Sequence, residues 1–210
     1  LIEPLSLDEA YLDVSDSKAC KGSATLIAQE IRRRVREEVG ITISAGIAPN
    51  KFIAKVASDW NKPDGQYVVL PHQVDEFVKE LPVKKIFGVG KVTAAKMHSL
   101  GIQTCGDLRP YSVEELGALF GSFGAKLFRL ARGIDERAVN PDRIRKSLSV
   151  ENTYVQDLPN LQACLDKLPE LHEQLETRLQ RVHSDYDVSK KYVKLKFNDF
   201  VSTTIEAMSI

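Results

Sequence analysis

Charge of neither sign is in excess in this chain: 29 Lys and Arg stand against 29 Asp and Glu, for a formal net charge of +0 at pH 7. That balance removes any global attraction to nucleic acid or to a membrane surface, so either partner must be argued from local patches. Cysteine is scarce too. Cys20, Cys105 and Cys164 are far apart and odd in number, which offers no metal-site spacing and fits a reducing cytosol. No apolar run approaches the ~20 residues that cross a bilayer, and no signal peptide is visible. What remains is a globular composition: 210 residues, 43% hydrophobic and 28% charged, enough for one or two domains with a sizeable core. The first residue is Leu and a strand pattern starts at once, so the chain is expected to begin inside a larger protein.

The stretch LSLDEAYLDV, Leu5 to Val14, alternates apolar residues in two phases. Leu5 and Leu7 fall in one phase, Ala10, Leu12 and Val14 in the other, and the change at Asp8–Glu9 predicts a hairpin turning there. GSATLIAQEIRRRVREEVG then repeats Ile27, Ile31, Val35 and Val39 every four residues. Ser23 is placed to cap this amphipathic helix and Gly40 to stop it. Its Arg32–Arg33–Arg34 cluster, offset by Glu30, Glu37 and Glu38, reads as a solvated face. ITISAGIAP alternates Ile41, Ile43, Ala45 and Ile47 as a buried strand. NKFIAKVASDW is a helix with Phe52, Ile53, Val56, Ala57 and Trp60 on its apolar side. NKPDG ends it, and QYVVL is another strand. This order is most of a split βαβ sandwich, with helices on one face of a largely antiparallel sheet.

From Pro71 to about Arg137 the pattern is helical, with no convincing strand. Asn140 to Ser147 is polar, carries Pro and loses the hydrophobic period, as a linker does. SVENTYV, a long helix around LQACLDKLPELHEQLETRLQRV, and KKYVKLKF form a β-α-β start. Two strands and one helix do not make a stable unit, so this last domain is expected to be cut short. The fold class is therefore α+β and multidomain, divided at 1–70, 71–137, a linker 138–146, and 147–210.

Four patterns carry chemistry. Asp8 and Glu9 are common turn residues, yet Asp-Glu is a poor two-residue hairpin turn, since neither is Gly or Asn. Adjacent carboxylates repel, and a divalent cation relieves the repulsion; Mg²⁺ favours one or two carboxylates plus substrate phosphates. Lys51, Lys55 and Lys62 fall on one helical stripe opposite Phe52, Val56 and Trp60. The stripe is either a solvated face beside Asp59 or, next to an acid pair, a cradle for a triphosphate. Gly88-Val89-Gly90, followed by Lys91, has the pattern of a helix-hairpin-helix. Its backbone N–H groups can hold a phosphate oxygen without reading bases, although a plain turn in a helical bundle looks alike. Gly121, Gly124 and Lys126 make a weaker second copy. Finally, a strand with Val193, Leu195 and Phe197 on one face places Lys190, Tyr192, Lys194 and Lys196 on the other. Such a face suits a nucleic-acid groove, though lysines also guard exposed edges. The linker adds Arg143, Arg145 and Lys146.

Taken together, SLDEAYLDV, SAGIAPNKFIAKVASDWNKPDGQ, FGVGKVTAAKM, GIDERAVNPDRIRKS and KKYVKLKFNDFVSTT resemble the Y-family translesion DNA polymerases of the bacterial DNA polymerase IV (DinB) type. The match spans nearly the whole chain. It implies a partial palm over 1–70, a thumb with a helix-hairpin-helix over 71–137 and the first part of a little finger over 147–210. It implies Asp8 and Glu9 as catalytic ligands of two Mg²⁺ ions, Lys62 at the incoming triphosphate and Lys55 in support. It implies contacts to DNA at Gly88, Gly90, Lys91, Arg143, Arg145, Lys146, Lys190, Lys194 and Lys196. Primer–template DNA and deoxynucleoside triphosphates are the implied partners of a cytoplasmic monomer, with a sliding clamp bound through segments not in this chain. The family's third catalytic Asp, its fingers with the ribonucleotide-excluding residue, and its C-terminal end have no counterpart here. Phe87 stands where relatives often carry Pro. Two other readings share some features: a non-enzymatic helix-hairpin-helix DNA-binding protein on a palm-like scaffold, and a palm-fold nucleotidyl cyclase. The cyclase accounts for neither the thumb nor the basic strand.

Overall fold

A computed structural model describes residues 1–142, 145–182 and 187–208. They fall in two compact units, Leu1–Arg143 and Ile144–Ile210.

In the first unit, β1 (Ile2–Pro4) pairs antiparallel with β2 (Ala10–Leu12), Glu3 standing opposite Tyr11. Helix α1 (Ala24–Arg34) starts where the Ser23 hydroxyl accepts from the Leu26 amide. Its continuation, Val35–Val39, widens to a π turn and stops at Gly40, whose φ of 77° is left-handed. β3 (Ala45–Ile47) leads through α2 (Lys51–Ala57) into β4 (Gln66–Val68), which pairs with β3 in parallel. Asn50 caps α2 by accepting from the Ile53 amide at 3.0 Å. The helix lies so close on β3 that a Cβ at Gly46 would run into the Ala54 carbonyl and the Ser58 amide.

The chain then turns helical: α3 (Val74–Lys79), a 3-10 turn at Val83–Lys85, α4 (Lys91–Ser99), α5 (Cys105–Leu108), α6 (Val113–Phe120) and α7 (Gly124–Leu130). Reciprocal caps start two of them, Thr104 with Asp107 and Ser112 with Glu115. Phe52, Ile53 and Val56 of α2 belong to one continuous core with Val78, Leu81, Met97, Ile102, Leu116 and Leu127. Each such side chain contributes roughly 1.5–3 kcal/mol on burial, against ~0–1 kcal/mol for an exposed ion pair. The core, and not the many surface ion pairs, therefore holds this unit together. The border expected at residues 70 and 71 lies within it.

The second unit contains α8 (Leu161–Leu165), α9 (Leu168–Leu179) and a hairpin of β5 (Lys190–Lys196) and β6 (Ser202–Met208), in register from Lys190↔Met208 to Lys196↔Ser202.

The α+β class holds, with local corrections. The first-unit strands form two pairs, one antiparallel and one parallel, where a largely antiparallel layer was expected. Of ITISAGIAP only Ala45–Ile47 is strand, and Ile41 is 56% exposed. SVENTYV forms no strand among the described residues. A strand needs a ladder partner, and β5 finds its partner in β6, so this unit has a hairpin where a β-α-β start was expected. The long helix expected after residue 160 is two helices, with Pro169 in the first turn of the second. Arg32 is not solvated: its guanidinium bonds the Ile43 carbonyl, Gln66 and Asp64, while Arg33 and Arg34 pair with glutamates on the open face.

Candidate functional site

The acids sit on a five-residue loop, not on a two-residue turn. Leu5 and Ser6 both donate backbone N–H groups to the Glu9 carbonyl, at 2.8 and 3.2 Å. Leu7 projects into solvent, and in β2 the inward residue is Tyr11, flanked by exposed Ala10 and Leu12. Closing the loop at Glu9 sets that phase. Within the loop the Ser6 hydroxyl donates to Asp8 Oδ1 at 2.6 Å. That bond, then a backbone N–H and the Lys62 and Lys55 charges, outweighs desolvation and holds the exposed Asp8 carboxyl below the usual range.

Helix α2 brings the lysines. Lys55 Nζ lies 2.9 Å from Glu9 Oε1. Lys62 Nζ lies 2.6 Å from Asp59 Oδ1. The Asp59 bond, then the Asp59, Glu9 and Asp8 charges, raises the Lys62 ammonium above its ordinary value. Asp8, Glu9, Lys55 and Lys62 thus form one electrostatic neighbourhood. Lys51 does not share it as expected. It is 8% exposed, with Nζ 2.5 Å from Glu3 Oε2 and 3.2 Å from the Ala138 carbonyl, and it lies over the Tyr11 ring. Packing turns this end of α2 inward, so Lys51 is a tie inside the unit and leaves the stripe.

Among the described residues no cluster of three or more His, Cys, Asp or Glu could hold a metal. Two hard carboxylates on an exposed loop, open to water and phosphate oxygens, nonetheless fit a hard divalent ion that keeps part of its hydration shell.

At the glycine loop Gly88 has φ +99°, and a Cβ there would also meet the Phe123 ring at 3.3 Å. Gly90 is the N-cap of α4 and supplies no side-chain cap, leaving the first-turn amides open beside exposed Lys91. The first helix of this motif is only the 3-10 turn Val83–Lys85. In the second copy Gly124 is buried where a Cβ would strike the Leu116 carbonyl, so it serves the packing of α7 on α6. Lys126 Nζ lies 5.8 Å from the Phe87 ring and 5.7 Å from the Phe123 ring, which gives Phe87 a place in a cation–π cluster joining the two loops.

Lys190, Lys194 and Lys196 are exposed along β5. Lys190 is neutralised by Glu206 at 2.7 Å, and Lys196 lies over the Phe200 ring at 4.5 Å. Arg145 and Lys146 are exposed and Arg143 lies outside the described residues. Sequence reasoning missed Glu3, Asp135 and Arg137. Asp135 accepts from the Phe52 amide at 2.9 Å across 83 positions, a separation with no local signal.

Residues 1–59 match the family described as impB/mucB/samB, residues 145–210 its C-terminal domain, and residues 84–135 the thumb domain of DNA polymerase-iota. DNA polymerase IV of Ectopseudomonas mendocina is 64% identical over 206 residues, covering 98% of this chain and 58% of that protein. DNA polymerase IV of Ralstonia nicotianae is 60% identical, covering 99% of this chain and again 58% of the relative. Among solved structures, a Y-family DNA polymerase chimera matches with a TM-score of 0.84 at 27% identity, over 99% of this chain and 59% of that one. A post-insertion binary complex of the Dbh DNA polymerase matches with a TM-score of 0.63, also at 27% identity, over 99% of this chain and 60% of that one. The class these matches define is that of DNA polymerases with a thumb domain. The chain belongs to the Y-family DNA polymerases, with relatives of the DNA polymerase IV (DinB) type. It spans about three-fifths of the length of those relatives.

Proposed function

We propose that the whole protein is a DNA-directed DNA polymerase that extends primers past damaged template bases. The observation that carries this reading is the acid loop: Asp8 and Glu9 side by side, with Lys55 on Glu9 and the Lys62 ammonium raised by the Asp59 bond and charge and then by the charges of both acids. Asp8 and Glu9 hold divalent ions, of which Mg²⁺ suits an all-oxygen donor set. Bound there, such ions supply Lewis-acid charge stabilisation to nucleotidyl transfer. Lys62, paired with Asp59 at 2.6 Å, swings from it to reach the triphosphate of the incoming nucleotide; Lys55 keeps the Glu9 carboxylate oriented. Both lysines offer point charges to phosphate oxygens. Residues 1–70 act as palm, 71–137 as thumb, 138–146 as linker and 147–210 as little finger. Primer–template DNA is held at its backbone by the Gly88–Gly90 amides, Lys91, Arg143, Arg145, Lys146 and the lysines of β5. The whole protein works as a cytoplasmic monomer and meets a sliding clamp through segments not in this chain. This chain by itself binds DNA through those backbone contacts.

Asp8→Ala and Glu9→Ala in the full-length protein test this. Each is expected to lower nucleotide incorporation by at least ~10²-fold. DNA affinity should stay within about twofold, because phosphate contacts elsewhere supply it. Near-normal primer extension by the Asp8 variant would sink the catalytic assignment of the acid loop, whereas no extension by the wild-type full-length protein would favour a DNA-binding scaffold.

A further inference from the structure

Helix α2 meets the acid-bearing hairpin twice on one face. Lys51 and Lys55, four residues apart, reach Glu3 on β1 and Glu9 at the end of the loop. The first turn of α2 is in turn held by the segment 133–140 that follows α7. Asp135, with a side chain 4% exposed, accepts from the Phe52 amide at 2.9 Å. Arg137 grips both oxygens of Asp135 at 2.7 Å. The Gly133 carbonyl accepts from Asn50 Nδ2 at 2.9 Å, the Ala138 carbonyl from Lys51 Nζ, and Glu3 Oε2 from the Asn140 amide at 2.7 Å. One strap thus fixes the N-terminus of α2 and the middle of β1 together. The loop with Asp8 and Glu9 hangs between those two anchors and Lys55.

We propose that Asp135 and Lys51 are positioning residues: through the strap they set the register of α2 against the hairpin, and so the placement of the Asp8–Glu9 pair. Neither belongs to the acid and lysine neighbourhood itself. Lys51 is covered by Tyr11 and Glu3, and Asp135 by Arg137. Their chemistry is that of buried, fully paired charges, which lock one geometry because any slip leaves a charge without a partner. A small slip of the acids is enough to cost rate, because nucleotidyl transfer depends on the position of its charged groups. This inference rests on the polymerase reading for its effect on rate, though not for its effect on the loop.

The test uses D135N and K51M, with K51R as the conservative partner. In the full-length protein, D135N and K51M are expected to lower the single-turnover incorporation rate about tenfold and to raise the Mg²⁺ concentration for half-maximal rate. Primer–template affinity should be unchanged, and K51R should recover most of the rate. Folded variants with a lower melting temperature but normal rate and Mg²⁺ requirement would show a merely structural network and overturn the proposal. A second readout needs no activity. In this chain, D135N should speed hydrogen exchange of the Leu5 and Ser6 amides, which close the acid loop on Glu9. If the wild-type full-length protein extends no primer, the polymerase reading falls, and the loop exchange alone decides the positioning claim. Unchanged exchange overturns it whatever the activity. Should D135N not fold, R137K, which keeps a cation beside Asp135 without the two-pronged grip, is read in the same exchange measurement.

Discussion

Lys51 and Lys55 are the same amino acid one helical turn apart, yet they do different work. Lys55 is part-exposed on Glu9 at the acid loop, while Lys51 is buried against Glu3 and the Ala138 carbonyl. Arg32 and Arg33 part in the same way, one turned inward to Asp64 and one on the open face with Glu30. Burial also separates the cysteines. Cys105 is fully buried and its thiol is pushed up to about 12, mainly by burial, whereas Cys20 and Cys164 are part-exposed. A thiol reacts as thiolate, and a raised value keeps it protonated until the solution is strongly alkaline. Iodoacetamide at pH 8 should therefore modify Cys20 and Cys164 and leave Cys105 untouched until denaturant is added. Mass spectrometry of the labelled peptides checks this, and equal rates at all three would contradict the packing. The scarcity of cysteine was plain from the sequence; which thiol is inert was not, because nothing near Cys105 in the chain marks it as enclosed.

At the scale of single elements, α1 begins at the cap its sequence places, Ser23, and the structure shows α2 beginning at Asn50. The hairpin of β5 and β6 puts Lys194 and Lys196 on a face opposite the apolar Val193 and Leu195. Cations on such a face meet phosphates and carry no base code. Reversing both charges in this chain, K194E with K196E, is expected to weaken primer–template binding equally for all sequences. It should also flatten the slope of log affinity against log salt by about 2, because two fewer counterions are released. Titrations at several salt concentrations decide it; sequence-selective binding, or binding indifferent to salt, would show that the hairpin does not track a backbone. Lys190 is a poor choice for this test because Glu206 already neutralises it.

At the scale of the whole molecule, the first unit has one continuous core, which should make it unfold as one body. Ile53 and Val56 of α2 share a core with Met97 of α4 and Leu127 of α7. Trp60, the sole tryptophan, lies 5.0 Å from the Phe77 ring and 5.7 Å from Tyr67, so it reports on both sides of residue 70. Met97→Ala empties a fully buried site and should cost about 2–5 kcal/mol. Trp60 fluorescence and far-ultraviolet circular dichroism should shift to lower melting temperature together. If the Trp60 transition stays at its wild-type temperature while helix is lost, residues 1–70 and 71–137 unfold as separate domains. No described helix is long and apolar enough to cross a membrane, in keeping with the absence of long apolar runs.

By itself the sequence determined what depends on neighbours a few residues away. Helix periods, the stops at Gly40 and NKPDG, the acid pair, a glycine turn at 88–90 and the order of motifs all follow from local sterics and spacing. Only the tertiary structure decided which chemically equal residues are taken out of water. Lys51 finds Glu3 across 48 positions, Phe52 finds Asp135 across 83, and Asn140 finds Glu3 across 137. The shared core, the inward turn of Tyr11 and the strap at 133–140 were decided in the same way. Desolvation belongs to the packed whole: a charge is buried only where distant segments arrive together with its partner, and no period or cap in the chain encodes that meeting.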